Sequence, residues 1–142
     1  MQKTTLIKNK DIIRAWHEID AANQPLGRLA SKVAQMLRGK HKVIFSLHQD
    51  LGDYVVVINI DKVQVASNSK KLTQKRYYHF SGYPGGLRSQ TLGQRFSKDP
   101  AVLFRDVVRE MLPDNRMKKL QLRRLHIVVG DKHSYPVKNP NF

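Results

Sequence analysis

NQPLGRLASKVAQMLRGKHK, residues 23–42, has the period of a helix with two unlike faces. At about 100° per residue, Leu26, Leu29, Ala30, Val33, Met36 and Leu37 fall on one side, and Arg28, Lys32, Gln35 and Arg38 on the other. Asn23 or Gln24 suits the cap, Pro25 the first turn and Gly39 a left-handed stop. The chain then runs at once into Lys40-His41-Lys42. One short element thus offers an apolar face to a core and a basic face to something else.

Working outward, the neighbours of this helix read as strands. Residues 15–21 alternate, with Ala15, His17, Ile19 and Ala21 against Trp16, Glu18 and Asp20. Residues 40–53 read as a loop, and residues 54–58 as a nearly continuous apolar strand of the kind buried on both faces of a parallel sheet. Strand, helix and strand make a βαβ unit, whose crossover should be right-handed. Residues 62–66, with Val63 and Val65 alternating, suit a short strand or turn. Residues 67–91 are polar, basic and aromatic and read as a long loop hinged at Ser81-Gly-Tyr-Pro-Gly-Gly86. A small helix can start at Thr91. Asp99 caps and Pro100 opens a helix to Leu112 that buries Leu103, Phe104, Val107, Val108 and Met111. Residues 115–124 can be helical, with Met117, Leu120 and Gln121 inward and Arg116, Lys119 and Arg123 outward. Residues 125–129 form another buried strand, stopped by Gly130. Residues 1–14 read as a basic arm tied down only by Leu6, Ile7, Ile12 and Ile13, and the tail, 131–142, as irregular. With 142 residues, no repeat and no linker, one domain spanning 1–142 is expected.

Charge narrows the function. Lys plus Arg number 26 against 11 Asp plus Glu, a formal net charge of +15. Eighteen of those cations lie in three windows that contain no acid, bounded by Asp20 and Asp50, Asp61 and Asp99, and Asp114 and Asp131. The rest of the chain is slightly acidic. A surface that is merely soluble mixes the signs; windows free of carboxylates suit a polyanion. The absence of cysteine excludes disulfides and thiolate metal sites. The longest apolar run is far short of the ~20 residues of a membrane helix, and the N-terminus lacks a signal peptide's apolar core. The expectation is an intracellular soluble protein with no membrane partner and no cofactor.

Three constellations follow. Arg28, Lys32, Arg38, Lys40 and Lys42 form either a solvated helix face or a set of phosphate contacts, and the missing acids favour phosphate, with His41 a further donor. Lys70, Lys71, Lys75, Arg76, Tyr77, Tyr78, His79, Phe80, Tyr83 and Arg88 interleave charge with rings, which suits unpaired bases stacking while phosphates meet cations. Gly82, Gly85 and Gly86 let a backbone approach a ligand closely. For Tyr77 and Phe80 the alternative is packing beneath the loop. Arg116, Lys118, Lys119, Arg123 and Arg124 supply the cations of the third window. His48, Asp50 and Asp53 are either an acid/base or metal cluster or a set of loop-fixing caps. The six histidines lack HxxxH or HExxH spacing, and no GxGxxG follows the first strand, so neither a zinc site nor a Rossmann nucleotide site has its fingerprint.

The strings LGRLASKVAQMLRGKHK (26–42), HQDLGDYVVVINIDKV (48–63), YYHFSGYPGGL (77–87) and MLPDNR (111–116) resemble those of the large-subunit ribosomal protein thirteen family, in the same order and over essentially the whole chain. The resemblance implies an α/β fold, a three-layer α/β/α domain on a mostly parallel four-stranded sheet. It implies a non-enzymatic role in the large ribosomal subunit: binding large-subunit rRNA beside neighbouring ribosomal proteins, in the cytoplasm, and joining early in assembly. Residue by residue, it places RNA contact on Arg28, Arg38, Lys40, His41, Lys42, Tyr77, Tyr78, His79, Gly82, Tyr83, Gly85, Gly86 and Arg88. Some members also bind their own messenger RNA, which leaves a translational regulator as an alternative. A Rossmann-like nucleic-acid enzyme using His48, Asp50 and Asp53 is the other.

Overall fold

The structure, a computed structural model, describes residues 8–65, 69–137 and 139–140. In chain order its elements are β1 (Trp16–Asp20), α1 (Leu26–Arg38), β2 (Tyr54–Ile58), α2 (Ser69–Gln74), β3 (Arg76–Phe80) and β4 (Leu87–Thr91). Then come α3 (Leu92–Lys98), α4 (Pro100–Met111), α5 (Met117–Arg123), β5 (Leu125–Ile127) and β6 (Asn139–Pro140). Short 3-10 turns cover Asn9–Asp11 and Ile60–Lys62. Leu6, Ile7, Ala66 and Ser67 lie outside the described residues.

Helix α1 buries the side its period predicts, from Leu26 to Leu37, with Ala34 added. Its end also follows the sequence. Gly39 takes φ +80°, and the amides of Gly39 and Lys40 donate back to the carbonyls of Met36 and Gln35. Its start does not. Pro25 holds the cap position, and neither Asn23 nor Gln24 caps the helix. The Leu26 amide donates instead to the Gln64 carbonyl at 2.9 Å, and the Gln64 amide to Gln24. A strand-like bridge from later in the chain replaces the local cap.

The sheet runs β5-β2-β1-β6 and is parallel throughout. β1 pairs with β2 from Trp16 beside Tyr54 to Asp20 beside Ile58, completing the βαβ unit around α1. β6 comes from the tail, whose sequence reads as irregular. Pro140 has no N–H to give, which suits a strand at the edge of the sheet. One face carries Ile19, Val55, Val57 and Leu125, packed on the apolar side of α1 and on Phe104 and Val108 of α4. The other carries a row of rings: Trp16 stacks on Tyr54 at 4.4 Å, and Tyr135 lies 4.4 Å from His126.

Three expectations from the sequence change. In α4, Leu103, Phe104 and Val108 are buried and Val107 half-buried, but Met111 is 42% exposed beside α1. In α5, Gln121 is buried and Leu122 packs on the core, while Leu120 faces out, because the helix meets the core at its C-terminal end where β5 begins. The third concerns residues 67–91. From 69 onward these are α2 and a β-hairpin, whose faces are both largely exposed and therefore show no hydrophobic period.

Caps are more legible. Asp99 accepts from the Val102 amide at 3.0 Å ahead of Pro100, and Thr91 forms a reciprocal capping box with Gln94 at the start of α3. Thr91→Ala is expected to cost about 1 kcal/mol, read as a lower urea midpoint with an unchanged m-value.

Candidate nucleic-acid interface

Each acid-free window meets α4. Arg38 and Lys40, at the end of α1, line a groove of about 330 Å³ whose other wall is Met111 and Leu112. The hairpin residues Tyr77, Tyr78, His79 and Arg88 line a cleft of about 520 Å³ opposite Arg109 and Glu110. Lys119 and Arg123 of α5 line a third, of about 510 Å³, opposite Arg105 and Arg109. The three segments are therefore neighbours of a single helix.

The hairpin has a local cause. β3 and β4 pair antiparallel from Arg76 beside Thr91 to Phe80 beside Leu87. Gly82 and Gly85 take φ +87° and +71° in the connection, where a side chain would be strained, and the Gly86 amide donates to the Tyr83 carbonyl. Alternation puts Tyr77 and His79 on one face and Tyr78 and Phe80 on the other. Tyr77 is half-buried beneath the Arg95 guanidinium, 4.7 Å from its ring centre, and the Lys75 ammonium, 5.2 Å away. Tyr78, Phe80 and Tyr83 stay exposed. Of the two rings for which packing is the alternative, Tyr77 packs and Phe80 does not.

Several cations are engaged inside the protein. Arg124 is buried: its guanidinium grips the Asp50 carboxylate at 2.5 and 2.6 Å and donates to the Leu37 carbonyl at 3.2 Å. It holds the C-terminal end of α1, where a positive charge is favoured, and does not face a polymer. Read from the sequence as one more cation of the third window, Arg124 is instead engaged inside the fold. Lys42 donates to Asp53 at 2.5 Å and to the Ile13 carbonyl at 2.8 Å, with its side chain mostly covered. His41 reaches the same carboxylate at 2.8 Å while its ring stays partly open. Lys118 makes a 3.3 Å surface pair with Asp114. Arg38 lies over the Phe45 ring at 5.5 Å and keeps its charge available. Arg28, Lys40, Lys70, Lys71, Arg76, Arg88, Arg116, Lys119 and Arg123 are exposed; Lys32 is half-exposed on the outer side of α1.

Asp53 is the hub that orders the basic turn. Only 1% exposed, it accepts from the Ala15 amide at 3.0 Å, from Lys42, and from the ring nitrogens of His17 and His41. Burial pushes its carboxyl up, but the Lys42, His17 and Ala15 hydrogen bonds outweigh that and hold it below the usual range. The arm is fastened here too. Arg14 donates to the Asp50 carbonyl at 3.2 Å, while Ile13, expected as an apolar anchor, is 84% exposed.

The remaining constellation separates. His48 is exposed and bonds Ser46 at 3.2 Å, Asp50 holds Arg124, and Asp53 holds Lys42. The two carboxylates are thus taken up in fixing the 40–53 loop against α1. Gly52 belongs to that contact: a Cβ there would come within 1.7 Å of the Leu37 carbonyl oxygen. The residues the sequence reading passes over are Arg105 and Arg109. They stand one turn apart on α4, and Asp106 and Glu110 beside them keep α4 outside the acid-free windows; helical spacing alone could have found them.

The family model described as "Ribosomal protein L13" matches residues 14–134. The chain is 45% identical over 140 residues to the large ribosomal subunit protein uL13 of Thermotoga petrophila, covering 99% of this chain and 93% of that protein. It is 44% identical over 138 residues to the uL13 of Maridesulfovibrio salexigens, covering 97% and 96%, and 44% identical over 140 residues to that of Mesoplasma florum, covering 99% and 92%. Motif order, parallel sheet and full-length similarity agree, and the chain belongs to the ribosomal protein L13 family.

Proposed function

We propose that this chain is a structural constituent of the large ribosomal subunit that binds large-subunit rRNA as one folded unit, beside neighbouring ribosomal proteins in the cytoplasmic ribosome. It enters the particle early in its assembly. The observation that carries the reading is the gathering of three acid-free segments around α4, with exposed cations on α1, the hairpin and α5. The family relationship supports it. Phosphate contacts position such a protein on folded RNA, and their energy comes largely from released counterions. The exposed rings of Tyr78 and Tyr83 suit stacking with unpaired bases.

The direct test is sedimentation of a lysate containing a tagged copy, which is expected to travel with the large subunit through a salt wash. A finer one is Arg38→Glu with Lys40→Glu. RNA affinity is expected to fall, and the slope of log K against log salt to flatten by about 0.7–0.9 for each phosphate no longer neutralised. An unchanged slope removes both residues from the interface.

A further inference from the structure

We propose that the cleft between α4 and α5 grips the sugar-phosphate backbone of a single RNA strand, between Arg105 and Arg109 on one wall and Lys119 and Arg123 on the other. This rests on the RNA-binding reading and gives it a defined seat. Each wall carries two cations four residues apart on a helix, hence about 6 Å along its axis. Arg105, Lys119 and Arg123 are exposed, and no carboxylate pairs with them among the described residues. The acid lining the cleft is Asp106, which is already paired with Arg95 and, at 3.4 Å, with Arg109. Three cations are therefore left without a counter-charge around one cavity of about 510 Å³.

The floor differs from the walls. It consists of Leu122, Leu125 and the His126 ring, which stacks on Trp16 and lies tilted 4.4 Å from the Tyr135 ring. Burial, helped by the Arg105 charge, holds His126 below its ordinary pKa, so the floor is uncharged at neutral pH. Charged walls over an apolar floor suit a strand whose phosphates turn sideways and whose sugars face inward. The adjoining hairpin cleft is less suited, since Glu110 lines it as well as Asp106.

The test is the full chain against Arg105→Gln with Arg123→Gln, titrated with single-stranded poly-uridine RNA over a range of salt. Among the described residues neither side chain is bonded to the fold, so circular dichroism and thermal midpoint should match the parent. The log–log slope is expected to flatten by about 1.4, two phosphates at roughly 0.7 each for a single strand. An unchanged slope, with the parent binding RNA and the Arg38/Lys40 double variant weakened, overturns the cleft and leaves the general RNA-binding reading intact. Failure of the parent to bind any RNA overturns both. Titration with ATP separates the other source of phosphate: binding as tight as the RNA's, abolished in the cleft variant, would make this a nucleotide site and refute the strand.

Discussion

Arg124→Ala is expected to cost about 3–5 kcal/mol of stability, the loss typical of removing one partner from a buried ion pair. Truncation strands the Asp50 carboxylate in a largely covered site and takes a donor from the Leu37 carbonyl at the end of α1. Arg14, 3.9 Å from Asp50, is too distant to replace a two-pronged grip. Arg124→Lys should recover only part of the loss, since an ammonium cannot bond both carboxylate oxygens in that geometry. Urea unfolding of the variants measures this. The same variants discriminate roles: when RNA is titrated under conditions where they stay folded, the salt slope should match the parent's. A flattened slope with parental stability would return Arg124 to the RNA surface.

Asp53→Asn should be about as damaging, and its cost should depend strongly on pH. The substitution leaves the Lys42 ammonium covered without its counter-charge and weakens the anchor of the two histidine rings and the Ala15 amide. At neutral pH the expected loss is about 3–5 kcal/mol. The folded carboxyl lies below its unfolded value, so its contribution is complete above the unfolded pKa of about 3.9 and disappears as pH falls through the folded value. Parent and variant should therefore converge in strong acid. A gap that stays constant from neutral pH into that range would show that the charge on Asp53 is not what holds the turn together.

Both residues show where sequence reading stops. The apolar face of α1 and its Gly39 stop are legible because they depend on neighbours within two turns. So are the Asp99 and Thr91 caps. Arg124 reads as one more cation after Arg123 because the bonds that draw it inward come from Asp50 and Leu37, far away in the chain. The start of α1 is obscured in the same way, by Gln64. For the candidate interface, composition locates the three basic windows. It does not reveal that Lys42 and Arg124 serve the fold, or that Arg105 and Arg109 stand opposite Lys119 and Arg123. A window without acids attracts the carboxylates of other segments as readily as it attracts a polymer.

The parallel edge strand β6 has a consequence for how the chain leaves the machine that makes it. Translation is vectorial, and β1, which β6 flanks, is among the first elements to emerge while its partner is among the last. By then α1, the hairpin, α4 and α5 have all cleared the exit. The basic segments of α1, the hairpin and α5 have thus emerged before the sheet gains its fourth strand.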